Sequence, residues 1–284
     1  MDAAPHHDHP KPTAASRLLS LLGAFSSGDG ALRLTDIRER AGLSLTTTHR
    51  LVQELLAWGG LETEASGRYR LSAKFLELAS RSTRGLHVRE AALPFLVDLQ
   101  RRTGLTVHLG VRNGRNVLNL EALRLHPNYG GANRIGGSIG LHMGATGLVL
   151  LAYAPPGFVD LYVQEPLQQF TEHTIASEGQ LRAALQRIRE DGYAIASHTP
   201  VTDRAMVAAP VMNSDGEIEA SLGLICWLEH HEPASYIGPV RAAARRISEA
   251  LQGRLNYSGD RAREFRLRYA ALVEDEPGAR THVA

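Results

Sequence analysis

The feature that most constrains the fold of this chain is a pair of short amphipathic helices separated by a tight turn near the N-terminus. The first is predicted over residues 35–41, with Thr35 as a candidate N-cap and Gly42 as a left-handed C-cap. Ser44 can cap a second, longer helix that ends at Gly59. Two helices joined by so short a turn have the geometry that places the second one in the major groove of DNA.

The second helix has an apolar side and a polar side. Its apolar side repeats at spacings of three and four residues and consists of Thr48, Leu51, Val52, Leu55 and Leu56. Its polar side presents hydroxyl, guanidinium and amide groups on Thr46, Thr47, Arg50 and Gln53. A preceding apolar helix starts at Ala15 and ends in the breaker segment 26–30. The pattern predicts three packed helices, with the polar side of the last one facing outward.

A β-hairpin is predicted directly after these helices. Residues 61–63 and 68–71 form its strands, and the polar segment 64–67 forms its turn. Two arginines, Arg68 and Arg70, flank an aromatic residue on the second strand. A hairpin with this chemistry is typical of the wing of a winged helix-turn-helix, where cations meet phosphate oxygens.

The charge of the chain limits how it could bind nucleic acid. The whole chain carries 31 Lys and Arg against 30 Asp and Glu, and the first 80 residues carry nine of each. A diffuse basic surface is therefore excluded, and we expect roughly three to five phosphate contacts per copy, which gives weak binding. Dimerisation is expected to supply the missing affinity.

The composition changes along the chain predict five segments. Residues 1–14 hold three Pro, three His and few apolar side chains, which is typical of a disordered tail. Residues 15–79 form the winged helix-turn-helix domain, and residues 80–97 form a linker helix. A larger domain occupies residues 98–257. The extension 258–284 has some helical potential and no assigned function.

The larger domain has the pattern of an α+β fold. Pro94 is expected to start a fresh amphipathic helix just before it. Strands are then predicted at 106–112, 116–121, 193–196, 206–211 and 218–227, with one helix at 181–191. Hairpin turns fall at Asn113-Gly114 and Asp215-Gly216. A mixed antiparallel sheet with flanking helices is the implied architecture.

Four stretches of this sequence carry a family resemblance in a specific order and spacing. They are residues 41–51 of the helix-turn-helix, 67–71 of the wing, 141–147, and 192–194 followed by 208–211. With them the chain resembles the IclR family of bacterial transcription regulators from Ser16 to about Leu255. The resemblance implies a linker helix that dimerises, a GAF-like effector-binding domain, and dimers or dimers of dimers, so homodimers or homotetramers, on palindromic double-stranded operators.

The resemblance also implies which residues meet DNA and effector. The DNA-binding positions are Ser44, Thr46, Thr47, Thr48, His49, Arg50, Arg68 and Arg70. His49 could equally pack against the first helix, and Leu45 stands where family members often carry a Lys. The effector-binding positions are His142, Met143, Gly144, Ala145, Ala196, His198, Met206, Gly223 and Ile225.

The chemistry of the effector positions predicts the class of ligand. Ala196, Met206, Gly223 and Ile225 replace the acid, thiol and hydroxyl residues that the family often has there. Burying an ionised carboxylate without donors costs several kcal/mol, whereas an apolar ligand gains about 25 cal/mol per Å². We therefore expect an apolar or aromatic effector, oriented by His142, His198 or backbone N–H groups. The alternative is a pocket filled by Met143, Met206 and Ile225.

Other classes of function fit the sequence less well. Cys226 with His142 or His198 would suggest an enzyme, but it lies in an apolar strand and no catalytic motif is present, so no catalytic residue and no cofactor are assigned. The tail histidines His6, His7 and His9 are not assigned a metal ion, and neither is the segment 229–232. A scaffold that pairs proteins is a third class. The sequence has no secretion signal and no apolar run long enough for a membrane span, so we expect a cytoplasmic protein.

Overall fold

The structure is a computed structural model that describes residues 13–26, 30–80, 83–124, 134–199 and 201–253. It divides into two compact units at the peptide between Thr83 and Arg84. Most of the predicted tail, including its three histidines, and the whole extension 258–284 lie outside the described residues.

The first unit consists of helices packed beside a small sheet. Its helices are α1 (Ala14–Gly23), α2 (Leu34–Ala41), α3 (Leu45–Trp58) and α4 (Ala73–Ala79), with a 3₁₀ turn at Ala24–Ser26. Its strands are β1 (Ala31–Leu32), β2 (Leu61–Thr63) and β3 (Tyr69–Leu71), joined antiparallel in the order β1-β3-β2. Leu21, Ile37, Leu51 and Val52 form the centre of its core. This is the predicted winged helix-turn-helix.

The ends of α2 and α3 show how the local sequence sets the turn between them. Gly42 follows α2 with φ of 64°, a left-handed conformation that glycine adopts without strain. The hydroxyl of Ser44 accepts a hydrogen bond from the N–H of Thr47 and so caps α3, as predicted. The prediction that Thr35 caps α2 is wrong: the helix begins at Leu34, its N-cap is Arg33, and the Asp36 carboxylate accepts from the N–H of Arg33.

The second unit contains a six-stranded sheet between helices. In chain order its elements are α5 (Thr83–Thr103), β4 (Thr106–Asn113), β5 (Asn116–Leu123), β6 (Ser138–Gly140), α6 (Ala145–Ala152), α7 (Phe158–Tyr162), α8 (Glu178–Asp191), β7 (Ala194–Ser197), β8 (Arg204–Met212), β9 (Ile218–Trp227) and α9 (Ile237–Leu251). Short 3₁₀ turns lie at Leu141–Met143 and Pro233–Tyr236. The strands are ordered β6-β5-β4-β9-β8-β7, and all their pairings are antiparallel.

The two faces of this sheet support two separate cores. Alternate residues such as Val107, Val207 and Leu224 face α5 and α9. The residues between them face α6 and α8, whose Val149 and Leu185 are buried there. The α+β class predicted from the sequence is confirmed.

The helix α5 differs from its prediction. Pro94 lies inside a continuous helix and does not start a fresh one. The helix also extends to Thr103, and Val88, Phe95 and Leu99 are buried in the core of the second unit. Burial of this apolar side stabilises the uninterrupted helix against the sheet despite the proline.

Candidate DNA-binding surface and effector pocket

The recognition helix α3 exposes one polar side. Thr46, His49 and Arg50 are exposed, whereas Thr47 is half-buried with its hydroxyl 2.9 Å from that of Ser44. His49 therefore does not pack against the first helix. The inclusion of Thr48 among the DNA-binding residues is wrong: its side chain is fully buried, and its hydroxyl donates to the carbonyl of Ser44. The side chains available to DNA are those of Thr46, His49 and Arg50, which lie about one turn apart on the exposed side of α3.

The cations of this surface are partly engaged with carboxylates. Arg50 forms an ion pair with Glu54, one turn later on α3. Arg70 donates from Nε and Nη2 to Glu62 on the paired strand, at 3.1 and 2.7 Å. Arg68 has no ion-pair partner within the described chain. Exposed ion pairs contribute only about 0–1 kcal/mol, so a phosphate group can replace either carboxylate at little cost.

Most of the predicted effector residues meet on the face of the sheet that lies beneath α6. Met206 on β8 is the register partner of both Ala196 on β7 and Ile225 on β9. Gly223 lies two residues before Ile225 on the same face. Gly144 lies over them, because a Cβ placed on it would be 4.0 Å from the sulfur of Met206. Its neighbours Met143 and Ala145 are buried beside it.

The side chain of Met206 occupies the centre of this group. Its sulfur lies 3.1 Å from the hydroxyl oxygen of Thr146, which donates a hydrogen bond to it. A Cβ placed on Gly223 would lie 2.5 Å from the same oxygen and 3.4 Å from the sulfur. Only glycine at this position leaves room for both groups.

His142 is not available to orient a ligand, contrary to the prediction. Its Nε2 lies 2.9 Å from the carbonyl oxygen of Gln168 and must donate to it, because a carbonyl only accepts. Its Nδ1 then accepts from the hydroxyl of Tyr162, at 2.7 Å. Burial raises the pKa of Tyr162 above its ordinary value, although its hydrogen bonds and Arg115 oppose the shift. Both ring nitrogens of this histidine hold α7 and the segment after it.

His198 directly follows β7, which ends at Ser197. It has a φ of 60°, in the left-handed region that non-glycine residues rarely adopt. Its Nδ1 contacts the carbonyl of Thr202, and its backbone carbonyl accepts from the hydroxyl of Thr171. The rings of His198 and His173 lie 4.7 Å apart. These contacts fix the loop that follows β7.

Sequence reasoning missed a polar residue on this face of the sheet. His108 on β4 is 2% exposed, and its Nε2 has no hydrogen-bond partner among the described residues. Burial lowers the pKa of His108 from 6.5 to about 4, with a smaller contribution from Arg124. His108 is the register partner of Gly223. The period of two along β4 places it beneath α6, and that signal could have identified it.

The alternative chemistries find no support in this part of the structure. Cys226 points to the core shared with α5 and α9, and burial raises the pKa of its thiol. It therefore faces away from Met206 and Ile225. The described residues contain no cluster of three or more His, Cys, Asp or Glu side chains that could hold a metal ion. None of the helices in the described ranges is both long and apolar enough to cross a membrane.

Two protein-family profiles match this chain, in separate ranges. Residues 14–65 match the profile described as the IclR helix-turn-helix domain. Residues 80–249 match the profile described as the C-terminal domain of the bacterial transcriptional regulator IclR.

Similar proteins cover nearly the whole length of this chain. The HTH-type transcriptional regulator XynR of Escherichia coli K12 is 30% identical over 84% of this chain and 96% of its own. The DNA-binding transcriptional repressor YiaJ of the same organism is 27% identical, over 83% and 86%.

Among solved structures, an IclR homologue from Microbacterium hydrocarbonoxydans complexed with 4-hydroxybenzoate superposes with a TM-score of 0.76. It is 29% identical, and the alignment covers 84% of this chain and 99% of that one. These relatives are regulators and not enzymes, as the sequence predicted. The chain belongs to the IclR family of bacterial transcriptional regulators, which bind DNA through a helix-turn-helix domain.

Proposed function

We propose that this regulator binds a palindromic operator as a dimer or a dimer of dimers, in the bacterial cytoplasm where operators lie. A small, largely apolar or aromatic effector in the second unit controls that binding. The observation that carries the proposal is the exposed row of Thr46, His49 and Arg50 on a helix capped by Ser44 and preceded by a left-handed Gly42.

Two features favour more than one copy on DNA. Of the three predicted arginines on this surface, two already pair with carboxylates, so a single copy neutralises few phosphates. The first unit also exposes large apolar side chains, with Leu76 72% and Leu78 51% exposed. We propose that a second copy covers part of this apolar surface.

Selection of random DNA duplexes by the full chain tests operator binding. We expect the selected sequence to contain two inverted half-sites. Their centres should be separated by about 34 Å, which is one turn of the DNA helix, or by a multiple of that distance. Arg50→Ala should weaken binding to the selected duplex at least tenfold and reduce its salt dependence. Arg187→Ala removes an exposed arginine of α8 and serves as the control. Undiminished binding by Arg50→Ala would refute the placement of the recognition surface, and the absence of any salt dependence would favour a protein scaffold.

The effector proposal depends on the apolar surroundings of Met206. Ala196, Ile225 and Gly223 supply no polar side-chain atom, so an aromatic ring loses few hydrogen bonds there. A homologue of similar fold binds 4-hydroxybenzoate, which makes substituted benzoates the first ligands to test. In this structure the side chain of Met206 fills the space that the effector would occupy. The alternative is therefore a regulator whose operator binding does not depend on an effector.

Thermal unfolding of the full chain with benzoates and with aliphatic dicarboxylates separates these possibilities. Stabilisation by 4-hydroxybenzoate is expected, since a ligand that binds only the folded state raises its unfolding temperature. Stabilisation by succinate alone would refute the apolar effector. No shift with any ligand, together with intact operator binding, would support the filled pocket.

The sheet offers a path from the effector face to α5. β4 and β9 present His108 and Gly223 to the effector face, and they present Val107 and Leu224 to α5 on the other face. Displacement of these strands would therefore move α5. In a dimer, a movement of this helix would change the separation of the two recognition helices and thus the match to the operator.

A further inference from the structure

We infer that Thr146 and His108 together bind a hydroxyl group on the effector, which takes the place of the Met206 sulfur. The inference rests on the proposed function and adds the chemistry of the ligand's buried end. It assigns a role to two residues that were not among the effector-binding positions predicted from the sequence.

The position of Met206 shows where a ligand atom would lie. Its sulfur accepts a hydrogen bond from Thr146 at 3.1 Å, and thioether sulfur is a weak acceptor. The side chain is only half-buried and unbranched, so it can change rotamer without moving β8. An oxygen atom at the same position would receive a stronger hydrogen bond from the same hydroxyl.

His108 lies opposite Gly223, and its Nε2 has no hydrogen-bond partner within the described ranges. It is directly opposite Gly223 in the β4–β9 ladder, where side chains on one face are about 4.5–5.5 Å apart at their Cβ atoms. Gly223 has no side chain to separate the imidazole from the Thr146 hydroxyl and the Met206 sulfur, which both lie over it. A buried polar nitrogen without a partner is costly and is expected to gain one when a ligand binds.

The chemistry of the two residues selects a neutral hydroxyl over a carboxylate. The Thr146 hydroxyl, now donating to sulfur, can donate to a ligand oxygen, and the unprotonated nitrogen of a neutral imidazole can accept a hydrogen bond from the ligand's hydroxyl. A phenol or alcohol satisfies both groups with one atom. The low pKa of His108 means that no positive imidazolium is present near neutral pH to offset a carboxylate charge.

Titration calorimetry of the full chain with 4-hydroxybenzoate and 4-methylbenzoate tests the inference. The two probes differ only by a methyl group in place of the hydroxyl. The wild type should bind the hydroxy compound at least tenfold more tightly. Thr146→Val and His108→Phe should each reduce this ratio below threefold. Because the ratio is taken within one variant, a general loss of pocket shape or stability affects both probes and does not imitate the result.

Ser221→Ala is the matched control. Its hydroxyl is also buried and has no hydrogen-bond partner in the described part of the chain. Ser221 lies opposite Gly110, one position on the same face farther from Met206 than Gly223, so the ratio should remain at the wild-type value. A wild-type ratio near one, or a tenfold ratio retained in both variants, would overturn the inference and leave the aromatic effector standing. Failure of both probes to bind the wild type would refute the aromatic effector and this inference with it, while operator binding is judged separately from Arg50→Ala.

Discussion

Acidification should destabilise the second unit through His108. In the unfolded chain this imidazole titrates at its ordinary pKa of 6.5, whereas in the folded protein burial, assisted by Arg124, lowers its pKa to about 4. Between these values the unfolded state binds a proton that the folded state does not, so stability falls as the pH falls. The loss relative to neutral pH amounts to about 2 kcal/mol at pH 5 and about 3 kcal/mol at pH 4.

Urea unfolding at pH 7.5 and pH 5 measures this loss. The chain has two tryptophans, and in a Trp58→Phe background the fluorescence of Trp227 on β9 reports on the second unit alone. His108→Phe removes the titrating group while the other twelve histidines and the carboxylates remain, so their contributions cancel in the comparison. The chain with His108 should lose about 2 kcal/mol more than the variant. Equal losses would show that the imidazole reaches solvent in the folded state and would refute its burial without a partner.

Four variants test contacts outside the effector group. Ser248→Ala should lower the free energy of unfolding by about 1–2 kcal/mol because the hydroxyl bonds two backbone groups, whereas Ser221→Ala should leave it unchanged or raise it in the same urea assay. Glu62→Gln frees Arg70 and should raise affinity for DNA about threefold at low salt, by fluorescence anisotropy. Gly42→Ala should destabilise the first unit by about 1 kcal/mol, detected by Trp58 fluorescence, since its φ is positive.

Local sequence signals were sufficient for most of the fold. The caps of α3 at Ser44 and Gly59 and the turn at Gly114 follow from residues whose backbone preferences are strong. The predictions failed where tertiary packing overrode such preferences. Pro94 would end an isolated helix, but the apolar side of α5 is buried on the sheet and remains helical.

The candidate site was harder to predict because its chemistry depends on pairs of residues far apart in the sequence. Met206 and Thr146 are 60 residues apart, and their hydrogen bond cannot be read from either position. The same holds for His108, whose register partner Gly223 is contributed by β9. The sequence shows that His108 is a polar residue in an apolar strand. Whether its side chain finds a hydrogen-bond partner depends on how the core packs, which the sequence does not show.

The unpartnered nitrogen of His108 links stability to regulation. The folded protein without effector carries the cost of burying that atom, typically about 1–3 kcal/mol. A ligand that supplies the missing hydrogen bond removes this cost, so part of its affinity comes from a defect already present in the free protein. The same ligand must displace Met206 from Thr146, which opposes binding by the strength of one weak hydrogen bond. A hydroxylated ligand is therefore expected to bind more tightly than a purely apolar ligand of the same shape, because the apolar ligand also displaces Met206 but gains nothing from His108.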